Sequence, residues 1–231
     1  MSTGARRYRR TLVVLAGVLL ASILLGVAVG AVWISPMTTL RLFGSRLGIG
    51  STDGIARSTE VIVFQLRLPR VMLAGVVGVA LGVAGMVFQG LFRNPLADPA
   101  IIGVSSGAAL GAIVVIVTAG TGALGGVGVP IAAFVGAAVT AVLVFRLARI
   151  GPAVHVATLL LAGIAVAAVI SSVMSLVMSF SGEQIRSIYF WLLGGLAARG
   201  WDSVTQSTPL VALGVLGAFL AVQELNLVSL G

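Results

Sequence analysis

The stretch "GLFRNPLADPAIIG", Gly90 to Gly103, sets an Arg, an Asn, an Asp and two Pro between two long apolar runs. Before it lies "VMLAGVVGVALGVAGMVFQ" (Val71–Gln89) and after it "IIGVSSGAALGAIVVIVTA" (Ile101–Ala119). Pro95 and Pro99 fix their own backbone angles and push the preceding residue out of the helical region. The run ending at Gln89 must therefore stop near Asn94. Asp98 is placed to accept from backbone donors at the onset of the next helix. The stretch reads as a stiff elbow that sets a fixed re-entry angle between two apolar helices.

Composition says what surrounds those helices. Of 231 residues, 59% are hydrophobic and 9% charged, against roughly 25% charged in a soluble domain. Too few charges remain to cover the chain in water, so its surface must face lipid. The formal net charge is +8, and all 14 basic residues are Arg. They sit at the ends of apolar runs and form no basic patch, so topology and anionic headgroups account for them and nucleic acid is not expected as a partner. With no Cys, disulfides and thiol chemistry are excluded.

Six apolar runs are long enough to cross a bilayer, which takes about 20 residues: Thr11–Ile34, Val71–Gln89, Ile101–Ala119, Val129–Phe145, Val156–Phe180 and Gln206–Val222. The expected fold class is an all-α polytopic membrane protein, a single transmembrane domain over residues 1–231. The first run is too long for a signal-peptide core and reads as a retained helix. With residues 1–10 as a basic cytoplasmic N-terminus, Arg93, Arg146 and Arg149 join the inner side. Arg41, Arg46, Arg57, Arg67, Arg70, Arg186 and Arg199 fall outside. The counts tie, and the Arg cluster before the first helix decides for N-inside. Residues 35–70 and 181–204 are then the sizeable external segments, where an outside partner would land.

Small residues recur at helical spacing: Gly75, Gly78, Gly82 and Gly85 on the second run, Gly103, Gly107 and Gly111 on the third, and Gly163, Ala167, Ser171, Ser175 and Ser179 on the fifth. Such stripes let helix backbones approach closely in a membrane, and tight packing is the expectation for the glycines. The serines could also line a polar pathway. The runs hold no Asp, Glu, Lys or Arg, which argues against an ion-coupled carrier. The chain has no Lys, so it has no Walker A loop of its own. The lone His155 and the scattered acids form no catalytic or metal-binding set, and no cofactor is expected.

"RLPRVMLAGVVGVALGVAGMVFQGLFRNPLADPAIIGVSSGAALGA" (Arg67–Ala112), with "LLLAGIA" (Leu159–Ala165), "FWLLGGLAARGW" (Phe190–Trp201) and "LNLVSLG" (Leu225–Gly231), closely resembles the permease family that imports ferric siderophores, haem and cobalamin through ATP-binding cassette transporters. The resemblance implies a ten-helix permease fold of which this chain carries the N-terminal part. It implies a second permease subunit, two ATP-binding subunits, and a substrate-binding lipoprotein or periplasmic protein. It places the protein in the bacterial inner membrane and makes it a transport subunit, not an enzyme.

The family's roles map onto particular positions. Arg67 matches an arginine that meets a glutamate of the binding protein. The elbow residues Arg93, Asn94, Pro95, Asp98 and Pro99, read from their own chemistry, are expected to serve as a rigid connector, a shaped pore-mouth loop, or both. His155, Val156 and Ala157 stand at the cytoplasmic gate, less polar than the hydroxyl residues of some relatives. Gly163, Ser171, Ser175 and Ser179 lie on the pathway-lining helix, and residues 181–204 match the external gate region. Residues 223–231, with Leu225, Asn226, Leu227, Ser229 and Gly231, begin the loop that engages the ATPase. The chain stops at Gly231 inside that loop, as expected of a fragment, a truncated reading frame or one part of a split permease. The rival readings are an inert membrane fragment and, less favoured, an ion-coupled carrier.

Overall fold

The computed structural model describes residues 3–150, 153–197 and 199–222. It is helical throughout, apart from a two-residue antiparallel pair between Arg149–Ile150 and Ala153–Val154. Five helices among the described residues are long and apolar enough to cross a membrane. The chain divides into two compact units, Met1–Ala80 with Leu196–Leu216, and Leu81–Gly195 with Gly217–Gly231.

In the first unit, α1 spans Thr3–Ala28. It starts earlier than the apolar run suggested, because the arginines before Thr11 are helical. It also stops six residues short of Ile34, at a point where its last carbonyls turn to a side chain described below. After a turn through Gly30 and Trp33, Pro36 opens α2 (Pro36–Arg46) at the position where a missing N–H costs nothing. A loop then leads to α3 (Arg57–Val61), a wide π-turn (Ile62–Arg67) and α4 (Leu68–Phe92), one unbroken helical run of 36 residues. The expected start at Val71 was late: the helix passes through Arg67, Pro69 and Arg70. Val27, Ile34, Leu42 and Val63 form the buried core of this unit, with Phe43 set edge-on to Phe64 at 5.4 Å.

The π-turn has a cause and a consequence. Pro69 has no N–H, and its ring crowds the carbonyl four residues back; widening the preceding turn relieves that crowding. Leu68 N–H donates to the Val63 carbonyl, five residues back. The next donor in that register would be the nitrogen of Pro69, so the Phe64 carbonyl is left without a ladder partner. Trp201, the first residue of α9 (Trp201–Leu220), supplies one: its indole N–H donates to the Phe64 oxygen at 3.0 Å. Trp201→Phe is therefore expected to destabilise the unit by about 1 kcal/mol. The loss should shrink toward zero in a Pro69→Ala background, where the chain has its own donor. Unfolding titrations of the two single variants and the double variant in mixed micelles measure this coupling; equal losses in both backgrounds would refute it.

The second unit holds the end of α4, α5 (Val104–Ala119), α6 (Gly128–Ala148), α7 (Val156–Ser179) and α8 (Ile185–Leu193). The third expected span, Ile101–Ala119, is divided. Pro99–Ile102 form a 3-10 turn, Gly103 takes a left-handed φ of 78°, and α5 proper is 16 residues long. One buried cluster joins Ile102, Val144, Ala148, Leu159 and Val166; a second joins Ala112, Ile113, Ile116, Val129 and Ile188.

The helix pair α5 and α6 approaches closely. A Cβ on Gly107 would stand 2.6 Å from the Gly136 carbonyl oxygen and run into Thr140. A Cβ on Gly111 would overlap the Ala132 carbonyl, and one on Gly136 the Gly107 carbonyl. Here the small stripe does what was expected of it. On α4 it does not: among the described residues, a Cβ at Gly75, Gly78, Gly82 or Gly85 meets no atom beyond its own stretch of helix within 4 Å.

Candidate functional site

The elbow is held by its own side chains. Asn94 Oδ1 accepts from Leu96 N–H at 2.9 Å, and Asp98 Oδ1 accepts from Ala100 N–H at 2.7 Å. These are two successive Asx turns, each occupying a backbone donor that a short loop would otherwise leave open. Arg93 enters the loop with a positive φ of 50°. Arg93, Asn94, Pro95 and Asp98 are exposed and Pro99 is half-buried. The far end of the elbow packs on α7. A Cβ on Gly103 would lie 3.0 Å from the Gly163 carbonyl and 3.3 Å from Ala167 Cβ, and Ile102 shares its cluster with Leu159 and Val166. The elbow and the first half of α7, picked out separately in the sequence, are thus brought together.

The stripe on α7 has two halves with different surroundings. Gly163 is buried and Ala167 half-buried against Gly103, so this end of the stripe is packing. Ser171, Ser175 and Ser179 are exposed. Ser175 donates its hydroxyl to the Ser171 carbonyl at 3.0 Å, and Ser179 to the Ser175 carbonyl at 2.9 Å. With those protons occupied, both hydroxyls present lone pairs outward, a face that accepts hydrogen bonds. At the other end of α7, His155 occupies the N-cap position without a side-chain cap bond. His155, Val156 and Ala157 are all exposed. After α7, helix α8 buries Ile188 against the α5–α6 core.

Arg67 departs most from its expected place. It is 8% exposed. Its Nη1 donates to the Val27 carbonyl at 2.9 Å and the Ala28 carbonyl at 2.6 Å, and its Nη2 donates to the Val32 carbonyl. The guanidinium fork caps the C-terminal end of α1, where carbonyls lack ladder donors and the helix dipole favours a cation. Gly30 makes room for it: a Cβ there would stand 2.8 Å from Nη2. A partner's carboxylate could reach this arginine only by displacing those carbonyls. Spacing alone gave no sign of the contact, which joins residues 40 positions apart. Three helix residues on, Arg70 has a buried Nε without a hydrogen-bond partner among the described residues.

Among the described residues, no group of His, Asp and Glu could hold a metal ion. Leu225, Asn226, Leu227, Ser229 and Gly231, the expected start of the ATPase-coupling loop, lie outside the described residues.

Comparison with known proteins gives this arrangement its relatives. Over 178 residues the chain is 39% identical to the cobalamin import system permease protein BtuC of Halobacterium salinarum, covering 77% of this chain and 47% of that one. It is 33% identical over 234 residues to the Fe(3+)-citrate import system permease protein YfmE of Bacillus subtilis, covering 100% of this chain and 67% of the relative. A solved inward-facing structure of a metal-chelate type ABC transporter superposes with a TM-score of 0.76 at 28% identity, over 97% of this chain and 66% of that one. The chain thus spans about half to two thirds of the length of these relatives. The profile of the FecCD transport family matches residues 18–231, and with the elbow, the glycine-packed helix pair and the multi-pass architecture in place, the chain belongs to that family.

Proposed function

We propose that the chain is the membrane-spanning permease subunit of an ATP-binding cassette importer for metal chelates. It would work with a second permease subunit, two ATP-binding subunits and a substrate-binding lipoprotein or periplasmic protein. Ferric siderophore ranks first as cargo, ahead of haem and cobalamin. The setting is the bacterial inner membrane with the N-terminus cytoplasmic. The observation that carries this reading is the family match over residues 18–231 in a chain with no Lys to hold a nucleotide phosphate.

Transport would proceed by alternating access, driven by the ATP-binding partners. The elbow Arg93–Pro99, stiffened by its two Asx turns and docked on α7 through Gly103, would carry motion to α7 as a rigid piece. The exposed serines of α7 would offer cargo a wall that accepts hydrogen bonds and carries no charge, leaving selectivity to the binding protein. His155, Val156 and Ala157 would form the inner gate. Docking through Arg67 would require its guanidinium to exchange the α1 carbonyls for a partner's carboxylate. An exposed pair of this kind contributes only about 0–1 kcal/mol, so its effect would fall on register and encounter rate.

The test is reconstitution. Vesicles holding this chain with its cognate ATP-binding subunits and binding protein are expected to accumulate ferric siderophore only when ATP is supplied. Uptake that persists without ATP and collapses with the proton gradient would favour an ion-coupled carrier. A cleanly solubilised chain that never retains an ATP-binding subunit would favour an inert fragment.

A further inference from the structure

The outward face of α2 carries large apolar side chains that meet no partner among the described residues. Thr39 and Leu42 are buried, and Phe43 packs against the core of the first unit. At 100° per residue, the opposite side of this helix carries Met37 and Arg41 side by side near its centre and Leu40 toward one edge, while Gly44 is half-buried against the Ile49 carbonyl. Met37 is 60% exposed, Leu40 49%, and Trp33, just before the helix, 69%. A water-facing helix would put polar residues there.

Two further observations say what covers this face. Exposed apolar side chains recur from the end of α1 into α2: Leu25, Val29, Val32, Trp33, Met37 and Leu40. The turn between the helices is short, and Arg67 fastens its carbonyls, so α2 is held beside the end of a membrane-spanning helix. Charge also fits. The segment "PMTTLRLFGSR" has two arginines and no acid; Arg46 is paired with Glu60 at 2.8 Å, and Arg41 is exposed beside Met37.

We propose that α2 is an interfacial anchor. It lies on the bilayer with Trp33, Met37 and Leu40 immersed at the boundary between headgroups and acyl chains, and Arg41 reaches anionic phosphates. Tryptophan favours that layer, and an arginine can bury its stem there while its head stays polar. The anchor fixes the height of the α1–α2 turn, and hence of Arg67, against the membrane surface.

The native chain contains no Cys, so a single introduced thiol carries a unique label. Met37→Cys, Leu40→Cys and, as a loop reference, Thr52→Cys are labelled with a nitroxide. Each full chain is placed in phosphatidylcholine vesicles with and without phosphatidylglycerol, its helicity checked by circular dichroism. Labels at positions 37 and 40 are expected to collide with oxygen in preference to a water-soluble nickel complex, at a depth of about 5–10 Å; position 52 should show the reverse. Arg41→Glu should move both labels toward water when phosphatidylglycerol is present and leave them in place without it.

A second readout needs no cysteine. Trp33 fluorescence, taken as the difference between the native chain and Trp33→Phe, should be quenched by lipids brominated near the headgroup. Nickel-dominated collisions at positions 37 and 40 would overturn the anchor and give the face to water or to a protein partner. Dipolar broadening between labels at position 40 would overturn it in favour of a second copy. Arg41→Glu without effect in phosphatidylglycerol would overturn the anionic contact.

Discussion

Gly111→Ala is expected to force α5 and α6 apart and to destabilise the second unit by about 3 kcal/mol, the top of the usual range for overpacking a tight core. The added methyl would meet the Ala132 carbonyl, which is backbone and cannot swing aside as a flexible side chain could. Relief requires one whole helix to shift. That shift would loosen Ala112, Ile113, Ile116 and Val129, whose burial depends on the same crossing, and with them Ile188 of α8. Gly78→Ala is the matched control. It adds the same methyl to a helical glycine of the same sequence pattern, where no described atom beyond its own stretch of helix lies within 4 Å. Its expected effect is neutral, or stabilising by up to about 1 kcal/mol from helix propensity. Denaturation in mixed micelles reads both. Equal losses for the two variants would show that glycine content, and not the α5–α6 contact, sets the stability.

The second large effect is expected at Arg67. Arg67→Ala removes the donor to three carbonyls at once and leaves a void where the guanidinium lay. Each hydrogen bond from a charged group contributes about 1.5–3 kcal/mol, part of which water recovers once the site opens. The turn between α1 and α2 should then exchange its amide hydrogens about a hundredfold faster, equivalent to about 3 kcal/mol. Arg67→Lys should recover only part of the protection, because a single ammonium cannot fork to carbonyls from both the helix end and the turn. Hydrogen exchange localised to residues 27–34, with the α5–α6 core as internal reference, makes the measurement. Unchanged exchange in Arg67→Ala would return the arginine to the surface role that its sequence context suggests.

These two sites mark where sequence reading reached its limit. Both lie in patterns that repeat elsewhere in the chain. The glycine stripe on α4 looks as good as the one on α5, yet among the described residues only the second faces another backbone. Periodicity identifies one face of a helix; it carries no information about what stands opposite. The stripe on α7 illustrates the same point within a single helix, since Gly163 packs against Gly103 while Ser171, Ser175 and Ser179 face outward. For Arg67, the sequence offered the boundary position of a charged residue before an apolar run. Its actual partners lie across a contact of 40 residues, which no local window spans.

The sequence by itself determined the membrane environment, the helical class, the family and the elbow. Each of these rests on local chemistry: too few charges to meet water, apolar runs of spanning length, and prolines and Asx residues whose backbone effects act within a few positions. The tertiary structure decided where α1 ends, that α4 begins in a helix running from Arg57, that Arg67 is a buried cap, and which glycines are contacts. Those depend on which carbonyl or backbone comes within reach of a side chain from a distant part of the chain, and packing alone settles that.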